Sequence, residues 1–316
     1  MDALKHRGLA SVRPCVRSSI LALLLAVAGC GGAPTTRLAA PPGTDAAVAR
    51  ETVELRVSLP TAMRSYARDQ TITIRDLGGQ HVRLASRSLL QVRENDPAAD
   101  RILRYQTHGP LQYHLDGEAQ PITGAMDGLE RHQVRTLVDH HNHVIEGPEL
   151  TGDAQRRQLS AAVLTLSRLL EPYYPDEPVA VGARWAEPPA VWATPPLEIA
   201  EVEIERAFTL EGIEGEGDAR TARIGWDIRL TVRPFEIGGM TVDGRGRIEG
   251  FSVVSLADGV TAHAALDLTF EAGPAGASDV IPLVQIEAKI RDRVRPVTET
   301  APTDLIQSVA PVDPRG

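Results

Sequence analysis

The sequence predicts a mainly β (α+β) protein in which a long, curved, half-barrel-like antiparallel sheet packs on one main α-helix near residues 153–171. Three observations predict it. Apolar residues alternate with polar ones over long stretches, most clearly from Ala200 to Glu271. Short clusters of Asp, Asn, Gly and Pro separate those stretches, as the turns of an antiparallel meander require. Only Asp153–Glu171 has a helical period. One helix must therefore cover the apolar face that one-sided strands leave behind.

The first 29 residues stand outside the fold. Lys5, Arg7, Arg13 and Arg17 form a basic start, and Ile20–Ala28 is an apolar run of nine residues. A bilayer-spanning helix needs about 20 apolar residues, whereas a run this short suits the core of a secretory signal. Val27-Ala28-Gly29-Cys30 follows. It resembles the bacterial lipobox, which implies cleavage between Gly29 and Cys30, acylation of Cys30, and a stable membrane anchor once more than one chain is attached. The bland alternative is an ordinary signal followed by a chance cysteine. By the same resemblance, Gly31 rather than aspartate after the cysteine implies the outer membrane, with the body facing the periplasm or displayed at the surface.

The signal takes four of the 33 basic and one of the 42 acidic residues, which leaves a net charge of −12. That balance argues against nucleic acid as a partner and against a basic patch on anionic lipid. The other cysteine, Cys15, lies in the signal, so neither a structural disulfide nor a thiolate metal site is expected.

Residues 31–50 are rich in Gly, Ala, Pro and Thr without periodicity and read as a flexible tether after the lipidated Cys30. A single β-rich domain is expected over 51–294, with a loose tail at 295–316; a split near 147–152 is the alternative. Val53, Leu55, Val57 and Leu59 open the domain in strict alternation. Thr71–Arg75, His81–Arg93, Arg101–His108 and Leu111–Leu115 continue it, and Arg131–Asp139 is ambiguous. Turn signals stand at Asp76–Gly79, Asn95–Pro97, Asp116–Gly117 and Asp127–Gly128.

In the expected helix, Leu159, Ala162, Val163, Leu166, Leu169 and Leu170 share one stripe. Asp153 caps its start and Glu171-Pro172 ends it. Beyond it the alternation resumes at Ala200–Leu210, Ala222–Arg233, Met240–Glu249, Phe251–Leu256 and Val260–Glu271, with Asp258-Gly259 as a hairpin turn. Ser278–Arg295 suits either a helix or a strand.

Between helix and strands lies Pro175-Asp-Glu-Pro-Val-Ala-Val-Gly-Ala-Arg-Trp185. With the lipobox before it, this P-x-x-P-V-x-V-G-x-x-W segment resembles a widespread group of uncharacterised bacterial lipoproteins. Pro175, Pro178, Val179, Val181, Gly182 and Trp185 carry the resemblance; Ala183 stands where many members have aspartate. The architecture is also similar, at the level of fold, to the periplasmic lipoprotein-carrier half-barrels. Neither likeness supplies functional residues, and fold alone does not fix function.

No catalytic constellation stands out. His140, His143 and Glu146 are the weak candidates for a metal, but no H-E-x-x-H accompanies them, and a solvated polar turn is the bland reading. Glu211–Asp218 lacks the alternating aspartates of a calcium loop and reads as a charged hairpin tip. There is no G-x-S-x-G and no S-x-x-K. Glu201, Glu203 and Glu205 share a strand face, which suits a solvated surface better than a glycosidase pair.

The expectation is therefore a protein that is not an enzyme and uses no cofactor. It is attached to the membrane through acylated Cys30 and binds a lipid or other hydrophobic ligand in a cavity lined by Leu166, Leu170, Val202, Ile204, Trp226, Ile228, Leu266 and Leu268. The alternative is a structural or interaction lipoprotein docking on an envelope protein partner. A metal-dependent envelope hydrolase is the remaining class.

Overall fold

The computed structural model describes residues 51–96, 101–121, 133–149, 171–188, 190–194, 197–237, 239–276 and 283–297. In chain order the strands are β1 (Thr52–Val53), β2 (Arg64–Asp76), β3 (His81–Asp96), β4 (Arg101–Leu115), β5 (Glu118–Gln120), β6 (Gln133–Val138) and β7 (Val144–Glu149). Then come β8 (Val179–Ala180), β9 (Arg184–Ala186), β10 (Ala190–Thr194), β11 (Leu197–Glu214), β12 (Thr221–Ile237), β13 (Met240–Ser255), β14 (Thr261–Pro274) and β15 (Val284–Pro296).

Thirteen strands form one antiparallel sheet that is not closed into a barrel. Its order is β10-β11-β12-β13-β14-β15-β2-β3-β4-β6-β7, with β5 beside β4 and β9 beside β11. Two meanders thus meet at a seam where β15 pairs with β2, from Ile286 opposite Asp76 to Pro296 opposite Tyr66. The ambiguous stretch near 131–139 forms β6, and the stretch from Ser278 resolves into strand β15. Asp116 and Gly117 both have positive φ between β4 and β5, as a two-residue hairpin of the primed type demands.

The expected helix at 153–171 lies outside the described residues except for Glu171, which sits in a bend. Among the described residues there is no α-helix, only the 3-10 turn Gly217–Ala219. The described cover of the apolar face comes from elsewhere. The alternating segment expected to be the first strand pairs with the rest of the chain only at Thr52 and Val53, against β8. Beyond them it runs as an extended strap. Val53, Leu55, Val57 and Leu59 are each at most 6% exposed, while Glu54, Arg56 and Ser58 face solvent. Alternation reports one-sided burial, and a strap across a sheet satisfies it as well as a strand within one. Burying the four apolar side chains contributes roughly 6–12 kcal/mol before ordering costs.

The strap also shows that the sheet bends. Val57 N–H donates to the carbonyl of His140 in the β6–β7 turn (2.9 Å), and Ser58 N–H donates to that of Asp258 in the β13–β14 turn (3.1 Å). From β14 to β6 there are five inter-strand steps, about 24 Å if the sheet were flat. Adjacent strap residues are only about 3.8 Å apart, so the two ends are drawn together over the strap. A second inner segment, 171–188, lies beside it: Tyr174, fully buried, donates its N–H to His141 O (2.9 Å) and its hydroxyl to Gly259 O (2.8 Å).

Candidate functional site

The P-x-x-P-V-x-V-G-x-x-W segment is part of that inner cover. Val179 and Ala180 pair with the strap, and Gly182 turns the chain at φ +91°, its N–H donating to Leu210 O (2.7 Å). Arg184–Ala186 then pair with β11. Trp185 stacks on Phe208 with ring centroids 5.9 Å apart, and its indole N–H donates to Tyr173 O (2.7 Å). Val179, Gly182 and Trp185 therefore join the segment to the strap or to β11.

Of the expected cavity, Leu166 and Leu170 lie outside the described residues. Val202, Ile204, Trp226, Ile228, Leu266 and Leu268 are buried in one continuous core together with the strap residues and Tyr174. Trp226 is held edge-on to Phe208 (5.3 Å), and its indole N–H donates to Ser252 Oγ (3.0 Å). These six side chains pack against protein.

The histidine cluster does not converge. His140 Nδ1 faces the Val57 carbonyl, and its Nε2 lies 3.6 Å from Glu94. His143 is half exposed beside Asp139, and Glu146 faces solvent on β7. Among the described residues no group of three His, Cys, Asp or Glu side chains could hold a metal ion. The structure gives His140 a different task, anchoring the strap.

Charged groups do gather under the cover. Arg68, on the core face of β2, bonds both carboxylate oxygens of Asp292 on β15 through Nε (3.1 Å each), with a further contact of 2.9 Å through Nη2. Glu171 meets Arg68 at 3.5 Å and is hydrogen-bonded by Arg104 of β4. Arg206 on β11 donates to the Glu171 carbonyl and to Glu187, with its guanidinium 5.2 and 5.5 Å from the Phe208 and Trp226 rings. Burial pushes the Glu171 carboxyl up, but Arg104 and Arg68 outweigh it and hold the group below its ordinary value. For Asp292 burial prevails over Arg68 and the group is raised. The void among these residues is about 10 Å³, room for no more than about one water. This cluster fastens the cover.

The open cleft lies at the β13–β14 turn. It measures about 770 Å³ and is walled by Tyr66, Val260, Ala262, Val294, Pro296 and Val297, with Met63 exposed at its rim. Polar groups converge on one side: Tyr66 donates its hydroxyl to Asp258 Oδ2 (2.9 Å), and Arg64 lies 3.5 Å from the same oxygen. Asp258 Oδ1 accepts the Val260 N–H (3.1 Å). Burial, reinforced by Asp258, pushes the Tyr66 hydroxyl up to about 12. Ser65, Asp218 and Ser255 complete the polar part of the lining, and no histidine or cysteine stands among the described residues there. Sequence reasoning saw Asp258-Gly259 only as a turn and passed over Met63, Arg64 and Tyr66. The one signal was an aromatic residue opening a strand beside charged neighbours.

No family model matches the chain, and no curated protein matches it. Two solved structures are distantly similar. One is the binding domain of botulinum neurotoxin DC in complex with rat synaptotagmin II (7% identity over 74% of this chain and 83% of that chain, TM-score 0.12). The other is the binding domain of botulinum neurotoxin serotype C1 (8% identity over 74% and 84%, TM-score 0.10). Likeness at these scores carries no argument about fold or function.

Proposed function

We propose that this chain is a lipid-anchored lipoprotein of the bacterial cell envelope whose β-rich body is a non-catalytic binding module for a small, largely hydrophobic ligand. The anchor rests on the basic start, the short apolar run and the lipobox-like Val27–Cys30. The binding role rests on the cleft: about 770 Å³, within the roughly 300–1,000 Å³ of small-molecule sites. Its lining is mainly apolar, through Met63, Val260, Ala262, Val294, Pro296 and Val297, with Tyr66, Asp258 and Arg64 hydrogen-bonded or paired to one another to orient a polar end. The ligand site in this reading lies not on the face where Val202, Ile204, Trp226, Ile228, Leu266 and Leu268 are packed but beside the β13–β14 turn.

Native mass spectrometry of protein extracted gently from membranes tests this. Wild type should carry a lipid-like adduct, and Ala262→Trp, which fills the cleft, should lose it. No adduct on wild type, or an equal adduct on the variant, rejects the reading. Cys30→Ala should release the protein from the membrane fraction; retention there rejects the anchor.

A second reading is an interaction module docking on an envelope protein. It is favoured by the filled core face together with an open sheet that terminates in β7 and β10. Crosslinking in intact envelopes that recovers one protein repeatedly, with no adduct on the purified body, would support it instead.

A further inference from the structure

The strap 51–60 is seated in the way a bound extended peptide is seated. Its four apolar side chains are buried on one side and its polar ones face water. Yet among the described residues its backbone is tied by two ladder pairs to β8 and by four further hydrogen bonds: from Val57 N–H, from Ser58 N–H, from Glu94 N–H to the Pro60 carbonyl (3.3 Å), and between the Val57 carbonyl and His140 Nδ1. Each central strand of the sheet is bonded along both edges. The seat is shaped for a passing main chain. A Cβ on Gly259 would lie 2.1 Å from the Arg56 carbonyl oxygen and 2.6 Å from Val57 Cα, so only glycine lets the chain through. Tyr174 then fixes that turn by donating to the Gly259 carbonyl. Downstream, only Thr61, Ala62 and Met63 separate the strap from β2.

We propose that this groove accepts the strap of a second copy of the chain, so that two molecules exchange residues 51–60 and form a two-fold dimer. The complementarity is already present, because an identical segment fits the groove residue for residue. Exchange leaves every contact of the strap unchanged and alters backbone angles only at 61–63, which is the economy of a segment swap. Short connections favour exchange, since they limit how the segment folds back on its own body. Met63 of the connection and Asp258 also line the cleft, so the exchange is read from crosslinks and mass and not from ligand content.

The test uses the full chain with Cys15→Ser and Cys30→Ser, so that introduced thiols are the only ones. Ser58→Cys and Asp258→Cys proteins are mixed, warmed to just below the melting midpoint, cooled and oxidised. The Asp258 carbonyl accepts the Ser58 N–H, so exchange brings the two thiols together across the dimer. The mixed disulfide should exceed that of Ser58→Cys with Thr231→Cys, on the exposed outer face, by at least about tenfold, because a seated strap raises the effective thiol concentration far above collision levels. A yield equal to this control overturns the proposal. Native mass spectrometry of the same chain without introduced cysteines supplies a second reading: dimer after warming, shifted to monomer when a Gly-Ser stretch lengthens 61–63. A monomer throughout overturns the proposal whatever the thiols do.

Discussion

Arg68 and Asp292 stand 224 positions apart and form a multiply bonded ion pair in which the side chains are 2% and 0% exposed. Removing one partner of such a pair strands the other in the interior, at a cost of roughly 3–5 kcal/mol. Asp292→Ala should lower the urea midpoint accordingly. Arg68→Met with Asp292→Leu should recover much of that loss, because neither charge is left behind. A double variant as unstable as the single one would show that the pair, with Glu171 beside it, holds the cover in place by more than mutual neutralisation.

Glu171 and Asp292 shift in opposite directions, and the acid limb of stability follows the first. Glu171 is depressed below its ordinary 4.5, so its contribution is present above that value and is lost as pH falls through the folded value. Asp292 is raised, so the folded protein takes up that proton before the unfolded chain does, which offsets part of the loss. Glu171→Gln should therefore be less stable at neutral pH, with a shallower fall in acid. Urea titrations at a series of pH values read both, and curves parallel to wild type would refute the assignment.

Tyr66 governs part of the alkaline limb. Its hydroxyl is raised from 10 to about 12, so stability is complete below about pH 10 and falls as pH rises towards 12, where the folded protein finally releases the proton. Tyr66→Phe should flatten that interval in a thermal-melt series. It should leave the loss tied to Tyr174, whose fully buried hydroxyl is raised further, so that its share continues to higher pH.

Gly182 and Gly259 both have positive φ but differ in their surroundings. Around Gly182 a Cβ would meet nothing within 4 Å, so Gly182→Ala should cost only the backbone strain, roughly 1–2 kcal/mol. At Gly259 the Arg56 carbonyl is in the way, so strain and overpacking together should cost roughly 2–5 kcal/mol. Equal destabilisation in urea would mean that the strap does not press on the turn.

The strands were legible because β11–β15 bury one face, and one-sided burial writes itself as alternation. The strap was legible as alternation and misassigned as a strand, because pairing leaves no local trace. The charged cluster was present as a set of interruptions. Arg68 and Gln70 follow Tyr66 on the core face, Arg104 follows Ile102, Arg206 sits between Ile204 and Phe208, and Asp292 between Ile290 and Val294. Each breaks an apolar series, and the structure brings the four charged ones together around Glu171. What no local reading could supply was the partner, since these positions meet only after the two meanders join. The cleft was hidden for the same reason: Tyr66 and Asp258 are 192 positions apart.

The seam between β2 and β15 has a consequence for biogenesis. The first long strand of the sheet waits for the last, so the sheet cannot be completed until residue 296 has been synthesised. Pairings this remote in sequence make for slow assembly. Until then β2 presents one bare edge, and the earlier meander must persist as a separate half.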